Sequence, residues 1–272
     1  MKIRCDVGTI PCLVGAGMRV IVQIGWCALA GMVLTGCLRP GEPPPERLAP
    51  GPLAREIVHE RASAVMVVAR ESIQDWADQR FPKRYASEDV DGGSAAPVAP
   101  DGYFLTADHV LARVKHGRNA FVLYGLGHEL VTAKARVVWR SAAADLALLH
   151  VPFDTPFFYQ WTPPGRWLPE GTWVIHGGIA TGRESAPGRL TTSLEPEGRF
   201  TRARRFRLDV PLKPGDSGGP VVDAHGNLVG INSAVEFLVP MDTAFFVDSE
   251  GNRPNVRMIE SLIRKDRARK NR

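Results

Sequence analysis

Between Ala64 and Asn232 the apolar residues of this chain come in short runs, with glycines and prolines in the gaps between them. Runs too short for a helix, rich in β-branched residues and bounded by turn residues, signal strands. Ala64-Val65-Met66-Val67-Val68-Ala69 is the first. Ala95 to Leu105 reads as a hairpin turning at Pro100-Asp101-Gly102, followed by strands at Ala120–Tyr124, Ala135–Trp139 and Leu146–Val151. The last is apolar for most of its length, as a strand buried on both faces must be. Strands resume at Thr172–His176, Gly188–Thr192 and Phe206–Val210, and a hairpin joins Pro220–Val222 to Leu228–Ile231. The stretch Pro152–Pro169 contains Pro152, Pro156, Pro163, Pro164 and Pro169 and reads as a connection between two halves. Ser72 to Ser94 is polar and irregular and reads as an insertion. Helical spacing occurs at the two ends of the body: Leu53, Ile57 and Val58 share one face before the first strand, and Val256, Ile259, Leu262 and Ile263 form a closing helix over 254–264. Periodicity therefore predicts an all-β body with a short helix before it and another after it. It does not say which β fold.

Cysteine placement limits what can hold that body together. Cys5, Cys12, Cys27 and Cys37 are the only cysteines in the chain, so no disulfide and no thiolate metal site is available beyond residue 37. Core packing has to suffice. The formal net charge of +5 is confined to one place, because the tail 264–272 has six cations and one anion. The near-neutral remainder argues against a large nucleic-acid face.

The N-terminal region reads as a leader. Val20–Leu34 is an apolar run preceded by Arg19, shorter than the roughly 20 residues a spanning helix needs. It suits the core of a signal peptide over 1–36, with Met18 as the better start. Leu34-Thr35-Gly36-Cys37 resembles a bacterial lipobox, which implies cleavage before Cys37 and lipid on that residue. An uncleaved signal anchor is the other reading. Pro40, Pro43, Pro44, Pro45, Pro50 and Pro52 then make residues 37–53 a semi-extended spacer. The expected location is the cell envelope, lipid-anchored, with the outer membrane favoured because Leu38 follows the cysteine.

The chemistry-bearing stretch is Gly215-Asp216-Ser217-Gly218-Gly219-Pro220. Glycines at this density let a tight loop aim backbone N–H groups at one point beside an exposed hydroxyl. The string resembles the nucleophile loop of trypsin-fold serine peptidases. Gly102–Leu111, with Thr106-Ala107-Asp108-His109, resembles their histidine segment, and Asp145-Leu146-Ala147-Leu148 their aspartate segment. The order His, Asp, Ser matches the trypsin fold and differs from the α/β-hydrolase and subtilisin orders. Asp209–Pro220 and Gly226–Asn232 bring the resemblance closest to the bacterial HtrA (Deg) type, over most of Ala64–Arg264.

The resemblance implies two antiparallel six-stranded β-barrels, about 64–153 and 168–250, within a protease domain over 54–263. It implies a serine endopeptidase with Ser217 as nucleophile, His109 as base, Asp145 behind it, and Gly215 and Ser217 N–H groups as oxyanion hole. Asp108 and Asp154 are the other acids considered for Asp145's part. Such an enzyme takes polypeptide substrates and needs no metal or organic cofactor. The specificity pocket is expected around Pro211 and Ile231-Asn232-Ser233, with small or medium apolar residues preferred before the cut and Asp209 at a strand end. Two departures stand out. HtrA proteins carry PDZ domains after the protease and none is read here, and Asp216 replaces their common asparagine with no activation site to pair it. The second reading is therefore a catalytically silent peptide- or partner-binding module. His176 reads as structural, and Arg202, Arg204, Arg205 and Arg207 as a solvated strand face, with an acidic partner or anionic lipid as the sharper alternative.

Overall fold

The computed structural model describes residues 43–45, 47–68, 91–116, 118–126, 129–199, 202–238 and 245–270. The leader, Cys37 and residues 72–90 lie outside them. Helix α1 (Pro52–Glu60) starts with proline at its first turn, where a missing N–H costs nothing. Ala54 and Val58, four apart, are the residues it buries, whereas Leu53 stays exposed. The apolar face expected to include Leu53 is thus rotated by one position, because the short helix packs only a narrow stripe.

Strands β1 (Ser63–Val68), β2 (Asp91–Ala99), β3 (Tyr103–Thr106), β4 (Asn119–Leu126), β5 (Glu129–Ser141) and β6 (Leu146–His150) close into a barrel in the order β1-β2-β3-β6-β5-β4. Asp91–Ser94, expected within an irregular insertion, is strand: Ser94 pairs with Ala64. Inside the barrel Val65, Val67, Val122, Leu149 and Phe104 pack with Tyr124, whose ring meets Phe104 edge-on at 5.6 Å. Strands β7 (Trp173–His176), β8 (Pro187–Arg189), β9 (Ala203–Leu208), β10 (Pro220–Val222), β11 (Leu228–Leu238) and β12 (Phe245–Pro254) form a second six-stranded sheet in the order β8-β7-β10-β11-β12-β9. A bridge between Leu190 and Leu208 brings its two edges together around Val174, Phe206, Val221 and Val229. Among the described residues the fold is mostly β, two six-stranded barrel-like sheets with two helices, as expected.

A third apolar cluster joins the halves. Tyr103, Leu105, Leu146 and Leu148 come from the first barrel, Ile175, Val222 and Ile231 from the second sheet, Val58 from α1, and Ile259 and Ile263 from helix α2 (Val256–Lys270). This seam, not a covalent tie, sets one barrel against the other.

Strand β12 was not legible from composition, since Asp248-Ser249-Glu250-Gly251-Asn252-Arg253-Pro254 looks like a turn. It nevertheless lies between β11 and β9. Its charged side chains are matched by neighbours, whereas the buried Asn252 amide makes no hydrogen bond among the described residues. Arg253, 1% exposed, donates to the carbonyls of Val229 and Thr162 at 2.8 and 2.6 Å. Glu250 pairs with Arg205 at 3.4 Å and Asp248 with Arg207 at 3.7 Å. Those two arginines of the basic cluster thus lie on a half-solvated strand face with acids across it, while Arg204 turns to Glu197 at 3.5 Å. Gly251 is required where it stands, because an added Cβ would come within 2.4 Å of the Phe206 ring.

Helix α2 runs six residues past the end expected from its apolar spacing. The reason is polar. Asp266 is nearly buried, accepts a hydrogen bond from Tyr103 at 2.8 Å, and pairs with Arg136 through both carboxylate oxygens. Arg267 reaches Asp101 at 2.5 Å. Residues 264–270 are therefore part of the body and not a free basic tail. Asp266→Ala leaves the buried Tyr103 hydroxyl without its acceptor, and an unmet buried donor costs about 1–3 kcal/mol. The urea midpoint should fall accordingly with an unchanged m value, and cutting the chain after Arg264 should lower it further.

Candidate active site

Antiparallel pairing of β3 with β6 sets Thr106 opposite Ala147. His109, three residues beyond the end of β3's ladder, and Asp145, just before β6, therefore emerge at the same end of the first barrel. A single 3-10 turn, Ala142–Ala144, precedes Asp145, which sits at φ +46° as the only non-glycine with positive φ among the described residues. That backbone is disfavoured for most L-residues but tolerated by aspartate. Here it aims the carboxylate at His109.

The carboxylate collects donors from both halves. His109 donates its backbone N–H at 2.9 Å, and its Nδ1 lies 2.9 and 3.1 Å from the two oxygens. Ser233, on β11 of the second sheet, donates its hydroxyl at 2.5 Å. Burial pushes the Asp145 carboxyl up, but the His109 and Ser233 hydrogen bonds outweigh it and bring the group down to about 2. The same hydrogen bond raises the His109 imidazole above its ordinary 6.5, against the opposing effect of burial. With its Nδ1 proton directed at a carboxylate, His109 keeps Nε2 as the free acceptor nitrogen. Asp108 makes no hydrogen bond to this pair and only adds to the field that raises His109. It is clamped by Arg140, with Nε 2.6 Å from one oxygen and a terminal nitrogen 3.1 Å from the other.

Ser217 lies in the tight turn between β9 and β10. Its Oγ donates to the Ser233 carbonyl at 3.2 Å and makes no hydrogen bond to His109. Among the described residues no acceptor takes the N–H of Gly215 or of Ser217. Gly215 has φ +107° and Gly218 φ +84°. At Gly218 an added Cβ would also come within 2.2 Å of the Ser94 carbonyl oxygen. Both positions disfavour a side chain by conformation, and Gly218 excludes one by space as well.

Asp216 finds its partners inside the fold. It has no exposed surface, and it accepts from the N–H groups of Thr181 and Lys213 at 2.9 Å each, from that of Ala180 at 3.2 Å, and from the Thr181 hydroxyl. All are neutral donors, so this buried carboxylate is stabilised by hydrogen bonding without an ion pair. Gly178 permits the approach, since a Cβ there would fall 2.2 Å from Asp216 Oδ1. Asn232, also fully buried, donates its side-chain amide to the Gly177 carbonyl at 3.1 Å, and its backbone exchanges hydrogen bonds with Gly218 and Gly219.

Three of the residues expected around the specificity pocket have side-chain partners within the fold. Ile231 belongs to the apolar seam, Asn232 holds the serine turn, and the Ser233 hydroxyl is spent on Asp145. Their side chains are taken because β11 runs along the seam between the halves. Pro211 is exposed. Asp209 accepts from the Arg189 N–H at 2.6 Å, at a strand end as expected. His176 is buried and burial holds its imidazole below the ordinary value. No metal-holding group of His, Cys, Asp and Glu occurs among the described residues. A cavity of about 640 Å³ lies away from this site, between α1 and Arg183.

Residues 93–231, just over half of the chain, match the model of the trypsin-like peptidase domain. A "Probable periplasmic serine endoprotease DegP-like" from Hahella chejuensis is 30% identical over 61% of this chain and 37% of its own length. The "Magnetosome formation protease MamE" of Paramagnetospirillum magneticum is 27% identical over 60% of this chain and 24% of its own. The chain thus spans about a quarter to just over a third of these relatives. Among solved structures, an HtrA-type protease, AlgW with tripeptide, superposes with a TM-score of 0.54 at 20% identity, over 76% of this chain and 60% of that one.

Because its folded-state pKa is raised, His109 should contribute stability below pH 6.5 that is lost as pH rises through the folded value. An NMR titration of the His109 ring should have its midpoint above 6.5. In Asp145→Asn that midpoint should drop, since the burial that lowers it remains and the carboxylate that raises it is gone.

Proposed function

The chain belongs to the trypsin-like peptidase domain family, and on that premise we propose that it is a serine endopeptidase with Ser217 as nucleophile. The observation that supports this most directly is the His109–Asp145 pair, which leaves His109 Nε2 as an acceptor, while Ser233 bonds Asp145 through its hydroxyl and Ser217 through its carbonyl. In this reading Ser217 Oγ turns from the Ser233 carbonyl and attacks the substrate's scissile carbonyl carbon, while its proton passes to Nε2. Apo hydroxyls need not sit in their reactive rotamer. The tetrahedral oxygen takes the N–H groups of Gly215 and Ser217. The C–N bond then breaks, the leaving amine receives the Nε2 proton, and an ester remains on Ser217. Water attacks that ester, gives one proton to Nε2, and the acid product departs as Ser217 recovers its proton. Asp145 stays ionised throughout, stabilising the imidazolium and fixing the ring's tautomer.

The substrates are polypeptides, and no metal or organic cofactor takes part. The setting we propose is the bacterial envelope, with lipid on Cys37 and residues 38–52 as spacer. The string Leu34-Thr35-Gly36-Cys37 after an apolar run supports it, and several relatives are described as periplasmic. The second reading, a silent peptide-binding module, draws on the Ser217 hydroxyl being bonded to Ser233 instead of His109.

Covalent labelling decides between the two. A purified body, residues 38–272, should react with a fluorophosphonate, Ser217→Ala should not, and His109→Ala should react far more slowly while staying folded. An unlabelled wild type would favour the silent module.

The anchor is tested separately. Cells expressing the full chain should incorporate labelled palmitate at Cys37 and retain the protein with membranes. Cys37→Ser should abolish both; soluble, unlipidated wild type would remove the envelope anchor from the reading.

A further inference from the structure

Ser94 lies on β2, in the first barrel, and is 1% exposed. It belongs to neither the His109–Asp145 pair nor the serine turn, yet it touches the serine turn twice and the neighbouring 177–184 segment once. Its N–H donates to the Ser217 carbonyl at 2.7 Å. Its hydroxyl donates to the Gly215 carbonyl at 2.7 Å and accepts the Ile179 N–H at 2.9 Å. Its own carbonyl accepts the Thr106 hydroxyl at 2.8 Å, three residues before His109.

We propose that Ser94 is a positioning residue that holds the Gly215–Ser217 oxyanion site in its working conformation from across the junction of the two barrels. The inference rests on the serine-peptidase reading and goes beyond it by assigning part of the site's geometry to a side chain outside the triad.

The argument is one of peptide planes. Gly215, at φ +107°, is held by no side chain of its own and has wide backbone freedom. Its N–H lies in the peptide plane of the Pro214 carbonyl, so once the plane carrying the Gly215 carbonyl is fixed only the φ and ψ of Gly215 remain to turn that N–H. The Ser94 hydroxyl captures that carbonyl, and the Ser94 N–H captures the carbonyl of Ser217, so both residues whose N–H groups form the site are tied by their other ends. The same hydroxyl takes the Ile179 N–H, next to the Ala180 and Thr181 N–H groups that bind Asp216. A hydroxyl meets both demands because it donates once and accepts at the same time. Alanine can do neither, and would leave the part-buried Ile179 N–H and Gly215 carbonyl without their side-chain partner.

The test compares fluorophosphonate labelling rates of the 38–272 body across pH 5–9 for wild type, Ser94→Ala, Ser94→Thr and Ser94→Val. The phosphonyl oxygen of this probe occupies the oxyanion site. Direct removal of an oxyanion donor costs about 10²–10³ in rate, so loss of a positioning hydroxyl should cost roughly 10- to 100-fold. Ser94→Ala should show that loss with the acid limb of its pH profile unmoved, because the His109–Asp145 pair does not involve Ser94. Asp145→Asn should shift the limb. Threonine and valine have the same shape and differ by the hydroxyl, so Ser94→Thr should label at least about tenfold faster than Ser94→Val even if both pack less well than serine. Equal rates for wild type and Ser94→Ala, or for the Thr and Val variants, would overturn the proposal while leaving the peptidase reading intact. Wild type that fails to label overturns the peptidase reading and the role of Ser94 with it.

Discussion

A carboxylate with no exposed surface, Asp216, sits at the point where three segments meet, and it receives only neutral donors. Burying a charge in this way is tolerable only if nearly every lone pair is met. The requirement explains much of the surroundings. The 178–181 segment has to turn its amides inward, Gly178 has to lack a side chain, and Lys213 has to present its N–H from three residues upstream. The conformation of Gly215 and Ser217, on either side of Asp216, is constrained by how that carboxylate is satisfied.

Division of labour between the halves follows from register. In the first barrel, β3 and β6 are neighbours, so a residue just past one and a residue just before the other share a barrel end. In the second, β11 runs beside β10 and brings Asn232 and Ser233 under the serine turn. The apolar seam then brings the two ends together. Asp145 marks the junction chemically, with His109 bound to it from its own barrel and Ser233 from the other. A carboxylate brought down to about 2 remains charged at any physiological pH, so the pH dependence of the pair comes from the His109 imidazole.

Helix α2 and strand β12 show the opposite strategy to the seam. Both place charged residues in poorly exposed positions, and both satisfy them with partners distant in sequence: Asp266 with Arg136 and Tyr103, Arg253 with the carbonyls of Thr162 and Val229. In a body without cysteine, such contacts tie the C-terminal end of the chain back onto both halves. Their strength lies in burial; the exposed pair of Lys213 with Glu184 is the kind that contributes little.

The sequence alone determined the strand-rich body, the two helices, the break at the proline-rich connection, and the candidates His109, Asp145 and Ser217. These are local signals: alternation, turn residues, and a glycine string that only a tight loop can use. Tertiary structure decided whatever depends on partners far along the chain. Asp248–Pro254 carries no apolar alternation to mark a strand, and only the flanking β9 and β11 make it one. Asp266 reads as one acid in a basic tail until Arg136 and Tyr103 are seen beside it. Ile231, Asn232 and Ser233 read as pocket wall, and only the folded chain shows what their side chains meet: the apolar seam, the Gly177 carbonyl and Asp145. The physical reason is the same in each case. A residue's preference for a strand or turn is set by its own backbone and its near neighbours, whereas burial and hydrogen-bond satisfaction are set by whatever the folded chain places against it.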